Sequence, residues 1–255
     1  MSWFENITGF HEEPYKETRS KLKVQNERLT SLVNGRSFQT GKLELTALSE
    51  LRKSVKSESI PAGRIKVSVV KGDVRLMHQA PENNGALFQV ASQFNLLEMV
   101  SPDITPEHGV TRYQSDPTQG PACAIAAGAA TIYRNYFAQI DGDEGQTEER
   151  QLNGLADIGI DLSRSTGLPV GDLWEMRNGY ALAKQTGLET INTHLKSISE
   201  EDIDRLREKL KIGLHSDVEV TEATGPNIPL VSQAFCSALP VAYSSIPKTH
   251  WEPLS

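Results

Sequence analysis

The 255-residue sequence holds two cysteines, Cys123 and Cys236, far apart along the chain. That number and spacing exclude a disulfide framework and a cysteine-based zinc site. The six histidines are scattered, and no two stand at metal-ligand spacing. There is no Gly-Gly pair, no Gly-x-Gly and no Gly-x-Ser-x-Gly, which removes a dinucleotide fingerprint and a hydrolase elbow. Gly35–Leu43 faintly resembles a phosphate loop but has one residue too many, with Leu43 where a magnesium-binding hydroxyl belongs. Positive charge is scarce: 26 Lys+Arg stand against 33 Asp+Glu, a net charge of -7, so no nucleic-acid partner is expected. Long apolar runs are missing too. The uncharged stretches Pro117–Tyr133 and Gly225–Pro247 are interrupted by polar residues and prolines, and neither supplies the ~20 apolar residues of a bilayer span. No membrane partner, metal or cofactor is expected. Glu5 interrupts any apolar run in Met1–Gly9, so the expectation is a reducing, cytoplasmic setting.

What is present suffices for a core: hydrophobic residues are 38% of the chain and charged residues 23%, with a mean hydropathy of -0.40. Trp3, Phe4, Phe10 and Tyr15 read as aromatics that staple an extended arm onto the body. Leu43, Leu45, Leu48, Leu51 and Val55 have helix-like spacing. Arg64–Val70 alternates as a strand ending at Gly72-Asp73, and Ala86–Ala91 is a second apolar run. Ser101–Gly120 is a long loop, followed by a small-residue helix over Ala122–Phe137 opened by Pro121. Gln151–Thr166 is an amphipathic helix, and Leu173–Leu182 reads as a strand. Thr186–Ile198 and Ser199–Leu210 are helices with capping boxes at Thr186/Glu189 and Ser199/Asp202. Ile212–Thr221 and Leu230–Ser244 are strands. This mixed order defines an α/β class.

Polar residues that are costly to bury gather in Gly72–Phe137: Asp73, Gln93, Asn95, Glu98, Asp116, Thr118 and Gln119, with Asn84 in the Pro81–Gly85 turn. A strand ending in Gly-Asp puts a carboxylate at a sheet edge, and Thr118-Gln119-Gly120 leads into a helix start suited to phosphate. The bland explanation is a set of caps and buried amides that satisfy one another.

Arg64–Val74 resembles the opening strand of a macrodomain with its Gly-Asp-Val step. Leu87–Asn95 is similar to the second macrodomain strand and its Asn-rich turn. More closely, Trp3–Phe10, Ser31–Gly41, His78–Met99, Asp116–Phe137, Arg177–Ala181 and Val231–Tyr243 resemble a bacterial family of uncharacterised proteins related to poly(ADP-ribose) glycohydrolase-type macrodomains. The resemblance implies a three-layer α/β/α macrodomain-like fold with a mixed central sheet. An N-terminal extension over 1–63 would pack on a domain over 64–255. It also implies binding of ADP-ribose, or an ADP-ribosylated substrate, with possible removal of the ADP-ribosyl group. In that reading Asp73 binds adenine, Asn95 approaches the distal ribose, and Gln119 and Gly120 cradle phosphate. Asn84, Gln93 and Thr118 complete the ligand-binding set, and Asp116, Glu98 and Asn95 are the catalytic candidates. The glycohydrolases' Gly-Gly-Gly loop followed by adjacent glutamates has no counterpart here, and the resemblance implies chain beyond Ser255.

Two other classes stay open. Gln119 lies four residues before Cys123, an arrangement that vaguely resembles the start of papain-like proteases, with His194, His215 or His250 as base. Against this, a Cys in an Ala-rich helix is ordinarily an inert small hydrophobe. A non-catalytic scaffold is the third class, with Trp174, Tyr180 and Trp251 as pocket or core residues.

Overall fold

The computed structural model describes residues 1–56, 63–64, 66–69, 71–73, 76–77, 80–83, 93–116, 120–216, 219 and 233–234. Asn84, Thr118, Gln119, Cys236, His250, Trp251 and the run Ala86–Ala91 lie outside the described residues.

Helices alternate with small antiparallel sheets, an α/β fold in the general sense. Helices α1 (Trp3–Thr8) and α2 (Tyr15–Ser20) lead into β1 (Leu22–Gln25), β2 (Arg28–Ser31) and β3 (Ser37–Gln39), a three-stranded meander. Next come β4 (Lys42–Ala47) and α3 (Leu48–Lys56), then α4 (Gly120–Ala126), α5 (Gly128–Tyr136) and the short hairpin β5 (Gln139–Ile140) and β6 (Asp143–Glu144). The remainder is α6 (Ala156–Thr166), α7 (Val170–Leu173), β7 (Trp174–Arg177), β8 (Tyr180–Ala183), α8 (Gln185–Ser197), α9 (Glu200–Arg207), β9 (Lys211–Ser216) and β10 (Gln233–Ala234). A second three-stranded sheet has the order β10-β9-β4, and every pairing among the described residues is antiparallel.

The N-terminal aromatics do staple, but from a helix rather than an extended arm. Ser2 and Glu5 form a reciprocal capping box at the start of α1, and Gly9 ends that helix with φ 79°. Trp3, Phe4 and Ile7 are buried with Leu97, Met99 and Ile132 in the principal core. A Cβ on Gly128 would stand 2.8 Å from the Trp3 ring, so the glycine opening α5 lets α1 lie close. The single helix expected over Ala122–Phe137 is accordingly two, broken at Ala127 with φ -127° and ψ 46°.

Other expectations change for tertiary reasons. Leu43 and Leu45 belong to a strand, because β4 pairs with β9 and both leucines pack on Leu96, Ala138, Ile140 and Leu152. Only Leu48 onward is helical. Residues 66–69 carry no strand, and Val67 and Val69 are 80% and 96% exposed, so neither buries the face that alternation promised. The run Leu173–Leu182 is two strands joined through Asn178-Gly179. Ser199 caps α9 as expected, accepting from the Asp202 N–H at 3.1 Å. The Thr186/Glu189 box does not form. Helix α8 starts at Gln185, whose amide reaches Glu189 at 2.6 Å, and Gly187 rests against the Leu173 carbonyl.

The expected long loop is folded. Short 3-10 turns occupy Pro106–His108 and Thr111–Ser115. Glu12 anchors them by accepting from the Val110 N–H (2.7 Å), the Thr111 N–H (2.8 Å) and the Thr111 hydroxyl (2.7 Å). Tyr136 donates to the same carboxylate at 2.7 Å. Among the described residues no helix is long and apolar enough to cross a membrane.

Candidate functional site

Residues 93–99 form a tight loop held by its own amides. The Gln93 Oε1 accepts from the Met99 N–H at 2.9 Å, while its Nε2 donates to the Met99 carbonyl at 3.3 Å. The same Nε2 donates to Glu98 Oε1 at 3.4 Å. Inside the loop the Asn95 Oδ1 accepts from the Leu97 N–H at 3.0 Å, an Asx turn. Between them Leu96 adopts φ 64° and is buried, its side chain filling the space left by Gly213 on β9. A Cβ at Gly213 would overlap Leu96, so the glycine is what admits the loop to the sheet.

The β7–β8 hairpin docks on this loop. Asn178 and Gly179 both have positive φ, 47° and 84°, the conformation of a tight two-residue hairpin turn. The Gly179 carbonyl accepts from the Phe94 N–H at 3.1 Å, and the Tyr180 hydroxyl donates to the Met99 carbonyl at 2.6 Å. Asn95 Nδ2 donates to Gln151 Oε1 (2.8 Å), Gln151 Nε2 to Asn178 Oδ1 (2.8 Å), and Asn178 Nδ2 to the Pro102 carbonyl (2.6 Å). This amide chain ties the loop to the hairpin and to the segment that follows.

Against this frame stand two buried carboxylates. Glu98 is 7% exposed and Asp116 is 4% exposed. Both border Gly120, the first residue of α4: a Cβ there would lie 3.0 Å from the Asp116 Cβ and 3.2 Å from the Glu98 Cγ. Asp116 reaches this position as the residue that ends the Thr111–Ser115 turn, its N–H donating to the Tyr113 carbonyl. Tyr180 registers both carboxylates. Burial raises its phenol above the ordinary value, and the charges of Glu98 and Asp116 push it further in the same direction.

The structure thus brings Gln93, Asn95, Glu98, Asp116 and Gly120 into one neighbourhood. Asp73 is exposed on irregular backbone, its carbonyl accepting from the Leu76 and Met77 N–H groups. Asn178, Gly179 and Gln151 were not singled out from the sequence. The Asn-Gly pair was the available signal, since that dipeptide flanked by apolar residues marks a hairpin. Nothing in sequence marks Gln151, which becomes a neighbour only through the fold. Cys123 lies in α4. Of the candidate bases for Cys123, His215 is buried on β9 against Arg134, and His194 lines a cleft between α6, α8 and α9. Among the described residues no cluster of His, Cys, Asp and Glu is arranged to hold a metal ion.

No protein-family model, curated protein or solved structure matches the chain.

Proposed function

We propose that the chain binds ADP-ribose or a related nucleotide diphosphate at the Glu98–Asp116–Gly120 neighbourhood, within a macrodomain-like arrangement. The observation that carries this reading is the convergence of two buried carboxylates on a residue without a side chain. Carboxylates accept hydrogen bonds from the paired hydroxyls of a ribose, and a glycine beside them allows close approach. Asp73, exposed on its own segment, is the group offered to the adenine amino hydrogens.

In this reading Gln93 and Asn95 position rather than touch the ligand, because their amides are spent on Met99, Leu97 and Gln151. Two neighbouring carboxyl groups also suit cleavage of an ADP-ribosyl bond. One protonates the leaving atom while the other takes a proton from water, whose oxygen bonds to the anomeric carbon as the old bond breaks.

Calorimetric titration of ADP-ribose, with AMP and NAD as comparisons, tests the reading. Saturable binding is expected, weakened at least about tenfold by Glu98→Gln or Asp116→Asn at unchanged melting temperature. Absence of heat and of thermal shift at saturating ligand would overturn it.

A further inference from the structure

Four Asn-Gly dipeptides occur in the sequence, and three of them lie among the described residues: Asn34-Gly35, Asn153-Gly154 and Asn178-Gly179. In this dipeptide no side chain on the second residue hinders attack of its backbone nitrogen on the asparagine amide carbon. The fold treats the three pairs differently. Asn178 is 5% exposed and Gly179 is buried; the Asn178 Oδ1 accepts from Gln151 and its Nδ2 donates to the Pro102 carbonyl. Gly154 is buried, its N–H donates to the Phe94 carbonyl at 3.2 Å, and a Cβ there would stand 3.0 Å from the Lys211 carbonyl oxygen.

Asn34 and Gly35 are both exposed, in the loop that joins β2 to β3. The Asn34 Oδ1 accepts from the Arg36 N–H at 2.9 Å, an Asx turn that folds the side chain back over the Gly35 peptide. That donor sits on the oxygen where negative charge develops when the amide carbon is attacked, and so stabilises it. Asn153 makes the same turn to the Leu155 N–H at 2.9 Å, so access to solvent is what separates the two sites. A Cβ at Gly35 would meet nothing within 4 Å. The Gly35 N–H donates to the Ser31 carbonyl at 3.0 Å, a bond within the exposed loop that local opening frees without unfolding the core.

We propose that Asn34-Gly35 is a self-modifying site at which the folded chain loses ammonia. Hydroxide takes the Gly35 N–H proton and the nitrogen bonds to the Asn34 Cγ. The Cγ–Nδ2 bond breaks, ammonia leaves with a proton from water, and a succinimide closes. Water adds to either ring carbonyl and opens the ring, giving aspartate or isoaspartate at position 34. The amide that donates to the Ile7 carbonyl of α1 at 3.3 Å is thereby replaced by a carboxylate, which cannot donate.

Incubation of the full chain in mildly alkaline buffer, followed by peptide mapping with mass spectrometry, tests this. Aspartate and isoaspartate are expected at position 34, formed at least about tenfold faster than at 153 or 178. In urea, where the fold protects nothing, the three sites should convert at similar rates. Gly35→Ala should slow conversion at position 34 alone; if the Gly35 φ of 70° strains that variant, the comparison with urea decides. Asn34 left intact in the native chain, over a time in which the urea-unfolded chain converts, overturns the proposal. So does native conversion at 153 or 178 as fast as at 34.

Discussion

Gln93 and Met99 face each other across a six-residue interval as if they were paired strands: one side-chain amide satisfies both the N–H and the C=O of Met99. The loop between them therefore keeps its shape without a sheet, and Glu98 is presented from it.

Gln93→Met preserves length and apolar volume but strips both bonds. The expected loss is about 2–3 kcal/mol in urea unfolding, since two buried backbone groups lose their partners. Gln93→Glu should cost more, because a carboxylate would then meet the Met99 carbonyl and Glu98. Equal stability of Gln93→Met and wild type would show that the loop is held from elsewhere.

Gly187 is the point at which α8 touches the end of α7. A Cβ there would overlap the Leu173 carbonyl oxygen, which is backbone and cannot rotate away. Gly187→Ala should destabilise by about 3 kcal/mol despite the better helix propensity of alanine. Gly171, whose Cβ would meet nothing within 4 Å, is the control and should tolerate alanine.

His215 makes stability depend on pH on the acid side. Its folded pKa is held below the ordinary value of 6.5, so below pH 6.5 the unfolded chain binds a proton that the folded chain refuses. Stability is fully present above that value and declines as pH falls beneath it, with a slope of up to about 1.4 kcal/mol per pH unit. His215→Gln should flatten the profile between about pH 5 and 6.5, above the range of ordinary carboxylates. An unchanged slope would place the titrating group elsewhere.

Tyr15 and Tyr136 act on the alkaline side. Their rings lie 4.7 Å apart; Tyr15 donates to the Asn135 carbonyl at 3.0 Å and Tyr136 to Glu12. Burial pushes Tyr15 up to about 12, and burial beside the Glu12 carboxylate raises Tyr136 strongly as well. Above pH 10 the unfolded chain releases phenolic protons that the folded chain retains, so stability falls as pH rises. Tyrosinate absorbance should show these two titrating together with unfolding, and Tyr136→Phe should weaken the alkaline dependence. Smooth titration of all six tyrosines in the folded protein would contradict this.

Local chemistry was readable in the sequence at several places where one segment carries the signal, though not at Thr186/Glu189, where the helix starts at Gln185 instead. Ser199 caps its helix because its hydroxyl and the Asp202 N–H it accepts from lie three residues apart, and the helices expected over Gln151–Thr166, Thr186–Ile198 and Ser199–Leu210 form over 156–166, 185–197 and 200–207. The spread of polar residues around Asn95 and Asp116 also pointed to the region where the carboxylates meet. The purposes of Gln93 and Asn95 were not readable, since a buried amide serves a ligand or a peptide equally well until its neighbours are known.

Tertiary structure alone decided the rest. Leu43 and Leu45 suit a helix or a strand by spacing, and the choice is made by β9, more than 160 residues later, whose Gly213 stands opposite Leu45 and admits Leu96. Asn178-Gly179 turns a hairpin locally, but its place over the 93–99 loop depends on a hydrogen bond to Phe94. Arg134 is buried on its small-residue helix because Thr131 and, from β9, His215 take its guanidinium. Sequence specifies what each segment prefers, because capping, turns and periodicity act over a few residues. Which preferences survive, and which polar groups end up buried together, depends on contacts between segments remote in the chain.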